Sequence, residues 1–145
     1  AAGDDGDFDA LCQQLHRYQA TLRTCFTLEN FDNLIKNGRM RPIVGTLLRS
    51  LGIHIIADAT AEGTIHVADK ARGVGKTYRA ITALMKASKD CTDAEVVISH
   101  CENLEGAMAL KRQILADLPV KQVDLLSCRG LTSFYAMEKG LIVGY

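Results

Sequence analysis

The run Glu95-Val96-Val97-Ile98-Ser99 constrains this chain more than any other segment. It is short, β-branched and almost continuously apolar, which reads as a central strand covered on both faces. Long stretches of helical period lie on either side of it. Before it, Val74 to Ser88 brings Tyr78, Ile81, Leu84 and Met85 to one side. After it, Asn103 is placed to cap a helix carrying Leu104, Ala107, Met108, Leu110, Ile114, Leu115 and Leu118, and Pro119 stops that helix. A buried strand flanked by amphipathic helices predicts helices packed on a sheet.

The remaining segments extend this pattern. Phe8, Leu11, Cys12, Leu15 and Tyr18 fall on one helical face. Arg23 to Leu28 reads as a strand, with Thr27 as N-cap of a helix carrying Phe31, Leu34 and Ile35 that ends at Asn37-Gly38. Arg41-Pro42 opens another helix, with Ile43, Val44, Leu47, Leu48 and Leu51 on a broad apolar face, and Gly52 closes it. Ile53–Ala57 and Thr64–Ala68 read as a hairpin turning at Ala61-Glu62-Gly63. Val120 to Ser127 and Gly140 to Tyr145 are strands, and Cys128 to Lys139 is a loop with room for one helical turn. The predicted order is α-β-α-α-β-β-α-β-α-β-β. The fold class is therefore α/β (α+β), with about six strands in one mixed sheet and helices packed on it.

Composition narrows the function. A chain of 145 residues, 48% hydrophobic and 23% charged, is long enough for one domain with its own core. Lys plus Arg and Asp plus Glu are 17 each, so the formal net charge is zero. That balance argues against a nucleic-acid binder working through bulk charge. No apolar run reaches the ~18 residues of a membrane helix, so the chain is read as not membrane-spanning. Cys12, Cys25, Cys91, Cys101 and Cys128 are odd in number and contain no C-x-x-C pair. They read as reduced thiols of a cytoplasmic protein. Ala1 to Asp7 is small, acidic and glycine-rich, as a linker is.

Several segments invite a chemical reading. Gly73-Val74-Gly75-Lys76-Thr77 resembles the tail of a phosphate-binding loop, but Lys70 occupies the position that needs the first glycine. The plainer reading is a turn opening a basic helix. His100-Cys101-Glu102 follows a strand and precedes a helix, where α/β sheets place ligands. His100 can donate or accept there, and a thiol enzyme using Cys101 or Cys128 is an alternative. Ser127-Cys128-Arg129-Gly130-Leu131-Thr132-Ser133 is a second strand-end loop, with hydroxyls, a guanidinium and a glycine for close backbone approach. Arg39 after Gly38 is similar. His16, His54 and His66 have no metal-ligand spacing, although His54 and His66 could face each other across the hairpin. No metal and no cofactor are expected.

Taken in order, these segments resemble the C-terminal half of the DegV family. Phe26 to Met40, with Leu34 and Asn37-Gly38-Arg39-Met40, is similar to the family's stretch of aromatic, apolar, Leu and then Gly-Gly-Arg-Ile. Leu47 to Ile56 resembles a family helix that runs into a strand, and Lys70-Ala71-Arg72-Gly73 and Ile98-Ser99-His100 also fit. Where the family often has His-Thr-Gly, this chain has Cys128-Arg129-Gly130.

The resemblance implies a fold similar to a domain of dihydroxyacetone kinase, and binding rather than catalysis. It implies a long-chain fatty acid as ligand, an N-terminal domain of the same protein as partner, and a fatty-acid kinase that receives the ligand and makes acyl-phosphate. Residues 1–7 are then a linker remnant and 8–145 a single C-terminal domain. Leu47, Leu48 and Leu51 are expected to wall the acyl chain. Arg39, His100, Cys128, Arg129, Gly130, Thr132 and Ser133 are expected at the polar mouth or docking surface. The alternative is an interaction module whose apolar face docks another domain without a small ligand.

Overall fold

A computed structural model describes residues 7–40, 52–60 and 63–145. Among these, helices α1 (Phe8–Thr21), α2 (Asp32–Lys36), α3 (Val74–Ser88), α4 (Leu104–Asp117) and α5 (Gly130–Ala136) surround one sheet. Its strands are β1 (Thr24–Leu28), β2 (Ile53–Ala59), β3 (Ile65–Arg72), β4 (Glu95–His100), β5 (Gln122–Ser127) and β6 (Leu141–Gly144), in the order β3-β2-β1-β6-β4-β5. Only β4 and β5 run parallel, joined through α4; every other pairing is antiparallel. This is the mixed six-stranded sheet that the sequence predicts.

Strand alternation sorts side chains into two layers. Cys25, Ile56, Val96, Ile98, Val123, Leu141 and Val143 face α3 and α4 and pack with Tyr78, Ile81, Met85, Ala107, Leu110 and Ile114. On the other face, Leu28, Ile55 and Ala57 pack with Phe31, Leu34, Met40 and Ala136 from the α2 and α5 segments. The first layer is a closed core. The second grades outward into half-buried apolar residues, and its α2 and α5 are tied by Asn33 Nδ2 donating to the Phe134 carbonyl at 2.6 Å.

Several expectations need correction. Thr27 does not cap a helix. It is a buried residue within β1, and an Asx turn, with Asn30 Oδ1 accepting from the Asp32 amide at 2.8 Å, starts α2 instead. β3 runs on to Arg72, because a bulge opposite Ile56/Ala57 lets its polar second half keep pairing at the sheet edge. The expected loop after Cys128 contains the two-turn α5. His54 and His66 do not face each other: His54 lies opposite Ala71, and His66 Nδ1 is 2.9 Å from Asp58 Oδ1. The helix expected from Arg41 to Leu51 lies outside the described residues.

One buried thiol carries a pH signature. Cys25 is fully buried on β1, and desolvation, with Asp58 paired opposite it in the sheet, pushes its titration up to about 12. The folded chain therefore keeps this proton over a range in which the unfolded chain, titrating near 9.0, releases it. Stability is unaffected below that value and falls as pH rises above it, by about 1.4 kcal/mol per pH unit. Urea midpoints measured between pH 8 and pH 10 should fall for the native protein. They should fall less steeply for Cys25→Ala, which starts lower and keeps only the slope contributed by the other thiols raised by burial, Cys91 and Cys128.

Candidate functional site

The second face of the sheet is where this fold remains open. On β1 and β6 the alternation that buries Cys25, Leu141 and Val143 turns Phe26 and Ile142 to that face, where they stay half-buried. Ile53, Ile65 and Val67 from the β2–β3 hairpin, Ile35 from α2 and Tyr135 from α5 surround the same cluster. At its β5 flank, Leu126 is 55% exposed, and α5 shows Leu131 at 71% and Phe134 at 46%. Single exposed apolar residues are ordinary, but a continuous apolar floor with an exposed apolar rim marks a binding surface.

The loops after β4 and β5 form a polar margin beside this floor. His100, Cys101, Glu102, Asn103, Ser127, Cys128 and Ser133 line a cavity of about 290 Å³. Parallel pairing of β4 with β5 brings them together: His100 lies opposite Ser127, and the Cys128 amide donates to the His100 carbonyl at 2.8 Å. Of the residues expected at a polar mouth, His100, Cys128 and Ser133 therefore converge. His100 is buried on the side of α3 and α4, and its Nδ1 accepts a long 3.4 Å bond from the Asn103 amide. Arg129 is the exposed N-cap residue of α5, Gly130 follows at φ +50°, and Thr132 is exposed. Arg39 is exposed beyond α2, one residue from Met40, which is buried in the same cluster as Ala136. Leu47, Leu48 and Leu51 fall outside the described residues.

Burial, reinforced by neighbouring Cys101, raises the Cys128 titration, the opposite of an activated nucleophile. Cys101 Sγ contacts only the Ser133 carbonyl, at 4.0 Å, among the bonds of the described residues. No group of three or more His, Cys, Asp or Glu side chains suited to a metal occurs among the described residues. The Gly73–Thr77 segment behaves as a helix start. Gly73 adopts φ +83°, and its carbonyl accepts from both the amide and the hydroxyl of Thr77.

Two features escaped sequence reasoning. The first is the floor itself, for which the signal was the half of each strand's alternation not used by the core. The second is a cavity of about 260 Å³ on the opposite face. Thr27, His54, Tyr78 and Leu141 line it beside Glu29, Glu105 and Lys139. Burial, then Glu29 and Glu105, raise the Tyr78 titration. The residues of this cavity are far apart in sequence, so no local motif announces it.

α1 is unlike the other elements. The sequence places Phe8, Leu11, Cys12, Leu15 and Tyr18 on one face, and the helix forms as expected, with Asp7 Oδ1 accepting from the Asp9 amide at 3.0 Å. Yet it buries no residue; Phe8 is 73% and Tyr18 62% exposed. Its stripe is a surface rather than part of the core.

Comparison with known proteins gives consistent findings. The profile of the DegV family matches residues 1–141. A DegV domain-containing protein of Streptococcus gordonii is 32% identical over 139 residues, covering 95% of this chain and 49% of that protein. The Fatty Acid Kinase (Fak) B3 protein of Streptococcus pneumoniae, solved loaded with linoleic acid, superposes with a TM-score of 0.86 at 32% identity. The match covers 97% of this chain and 50% of that one. A DegV family protein from Eubacterium eligens, loaded with heptadecanoic acid, gives a TM-score of 0.88 at 26% identity, covering 96% of this chain and 50% of that one. The chain spans about half the length of the curated relatives it matches.

Proposed function

The chain belongs to the DegV family, and from that membership we propose that it supplies the C-terminal, acyl-holding half of a fatty-acid-binding protein. The observation that carries this reading is the open apolar floor around Phe26, Ile142, Ile65, Val67 and Tyr135, in a fold similar to two structures loaded with fatty acids. An acyl chain laid on it leaves water at about 0.8 kcal/mol per CH₂, so a long chain is held firmly once the floor is covered. His100, Cys128, Arg129, Gly130, Thr132 and Ser133 stand at or beside the polar margin, where the head group emerges.

The function is binding and presentation rather than catalysis. The partners are an N-terminal domain of the same protein, docked along the exposed stripe of α1, and a fatty-acid kinase that phosphorylates the presented carboxyl group. No described helix is long and apolar enough to cross a membrane. All five cysteines are free, which suits a reducing compartment, and we place the protein in the cytoplasm.

The test is organic extraction of the protein isolated from its native source, followed by lipid mass spectrometry and titration with linoleic acid. A co-purifying long-chain fatty acid, or saturable binding, supports the reading. Neither would leave only the docking module. Arg39, exposed at the edge of the cluster, is assigned to kinase docking or to the emerging carboxylate. Arg39→Ala should slow acyl-phosphate formation about tenfold, the loss expected for one charge-assisted hydrogen bond. Extractable lipid and melting temperature should stay unchanged, and an undiminished rate would remove Arg39 from that role.

A further inference from the structure

We infer that Cys101 and Cys128 form a reversible disulfide that clamps the loop after β5 to the end of β4. β4 and β5 are parallel and in register up to His100 opposite Ser127, and the Cys128 amide to His100 carbonyl bond at 2.8 Å carries the ladder one step further. Cys101 and Cys128 are therefore direct neighbours across that step. Adjacent strands lie about 4.8 Å apart, inside the ~4.4–6.8 Å between Cα atoms that a disulfide spans. Both side chains turn to the same face, packing as half-buried residues against one apolar cluster, and both line the cavity at the strand ends. Each stands just past its strand and is held there: the Cys101 amide donates to the Gly140 carbonyl at 3.0 Å and its carbonyl accepts from the Lys139 amide at 2.8 Å, while Glu102 beyond it adopts φ +49°. The other described thiols differ: Cys25 and Cys91 are buried in the opposite layer, and Cys12 is on α1.

The chemistry is thiol–disulfide exchange with a low-molecular-weight disulfide, RSSR. One of the two thiolates attacks a sulfur of RSSR, forming a mixed disulfide and releasing RS⁻. The neighbouring thiolate then attacks the protein sulfur of that mixed disulfide and releases the second RS⁻. Two protein thiols lose two electrons, RSSR gains them, and the two thiol protons end on two RSH. Reduction by a dithiol reverses the sequence. The clamp joins β4 to the loop that leads into α5, the element carrying Thr132, Ser133 and Tyr135, so it fixes one wall of the open floor.

The protein is equilibrated in glutathione buffers of rising oxidised fraction, alkylated and digested. The expected result is a linked peptide pair containing Cys101 and Cys128, lighter by two hydrogen atoms than the two reduced peptides together. Cys12 should yield only the glutathione adduct. Cys101→Ser and Cys128→Ser should each abolish the linked pair and leave the partner cysteine as a glutathione adduct. Glutathione adducts on Cys101 and Cys128 in the native chain, or both thiols fully reduced while Cys12 reacts, would overturn the inference. The effect on ligand rests on the fatty-acid reading: release of linoleic acid should differ at least threefold between clamped and reduced protein. Cross-linking without linoleic acid binding in either state would overturn that reading and leave the clamp standing.

Discussion

Replacing Ile98 by alanine is expected to lower the free energy of unfolding by about 2–5 kcal/mol. Ile98 is fully buried in β4 and faces α3 and α4. Its strand neighbours are Leu125 on β5 and Val143 on β6, so it lies where the parallel and antiparallel parts of the sheet meet. Removing three carbons there leaves a void that rigid strands on both sides cannot close. The shift in urea midpoint should clearly exceed that for Val97→Ala, one position along on the open face and only half-buried. Equal shifts would mean that the second layer is as tightly packed as the first, and the open floor would not exist.

Ile142→Asp should reduce fatty-acid affinity by two orders of magnitude or more. Ile142 is on β6, between β1 and β4, with Phe26 opposite on one neighbour and Ser99 on the other. It is half-buried on the face assigned to the acyl chain. A carboxylate there keeps its water in the empty protein but must lose it beneath an alkyl chain, a cost of several kcal/mol. Titration with linoleic acid measures the loss, and Ile142→Val, which keeps an apolar floor, should bind within a few-fold of the native protein. Native-like affinity for the aspartate variant would move the acyl site elsewhere.

Much of this architecture was legible because local and tertiary preferences agree. Val74–Ser88 buries the expected Tyr78, Ile81 and Met85, with Thr77 and Thr82 beside them, whereas the helix from Asn103 buries Ala107, Leu110 and Ile114 but leaves Leu104, Met108 and Leu115 of the expected set exposed. The Glu95–Ser99 run forms a strand as expected, but the expected cover on both faces is not found: Val96 and Ile98 are buried under the helices, Val97 and Ser99 stay half-buried on the open face, and β4 lies one strand from the sheet edge. Where the reading failed, two physical signals competed. Thr27 has good N-cap chemistry, but pairing of β1 with both β2 and β6 holds it in the sheet. α5 begins at a glycine with φ +50° and leaves Leu131 and Phe134 exposed, so no core-facing period betrays it. The apolar face of α1 was readable, but its exposure was not, because a stripe looks the same whether it covers a core or awaits a partner. At the candidate site, Cys128, His100 and Ser133 were named from strand-end position, whereas Phe26 and Ile142 were hidden as ordinary strand residues.

The strand order also dictates a schedule of assembly. β1, β2 and β3 form an antiparallel meander early in the chain, and β4, α4 and β5 form a separate crossover unit, yet these two pieces share no strand pairing. Only β6, the last strand in sequence, lies between β1 and β4 and pairs with both. During synthesis the two pieces can gain local structure on the ribosome, but the sheet stays split until residues 141–144 clear the exit tunnel. Joining segments so distant in sequence is slow and leaves the facing edges of β1 and β4 unpaired meanwhile. The nascent chain is therefore most prone to aggregation, and most dependent on chaperones, just before that final strand emerges.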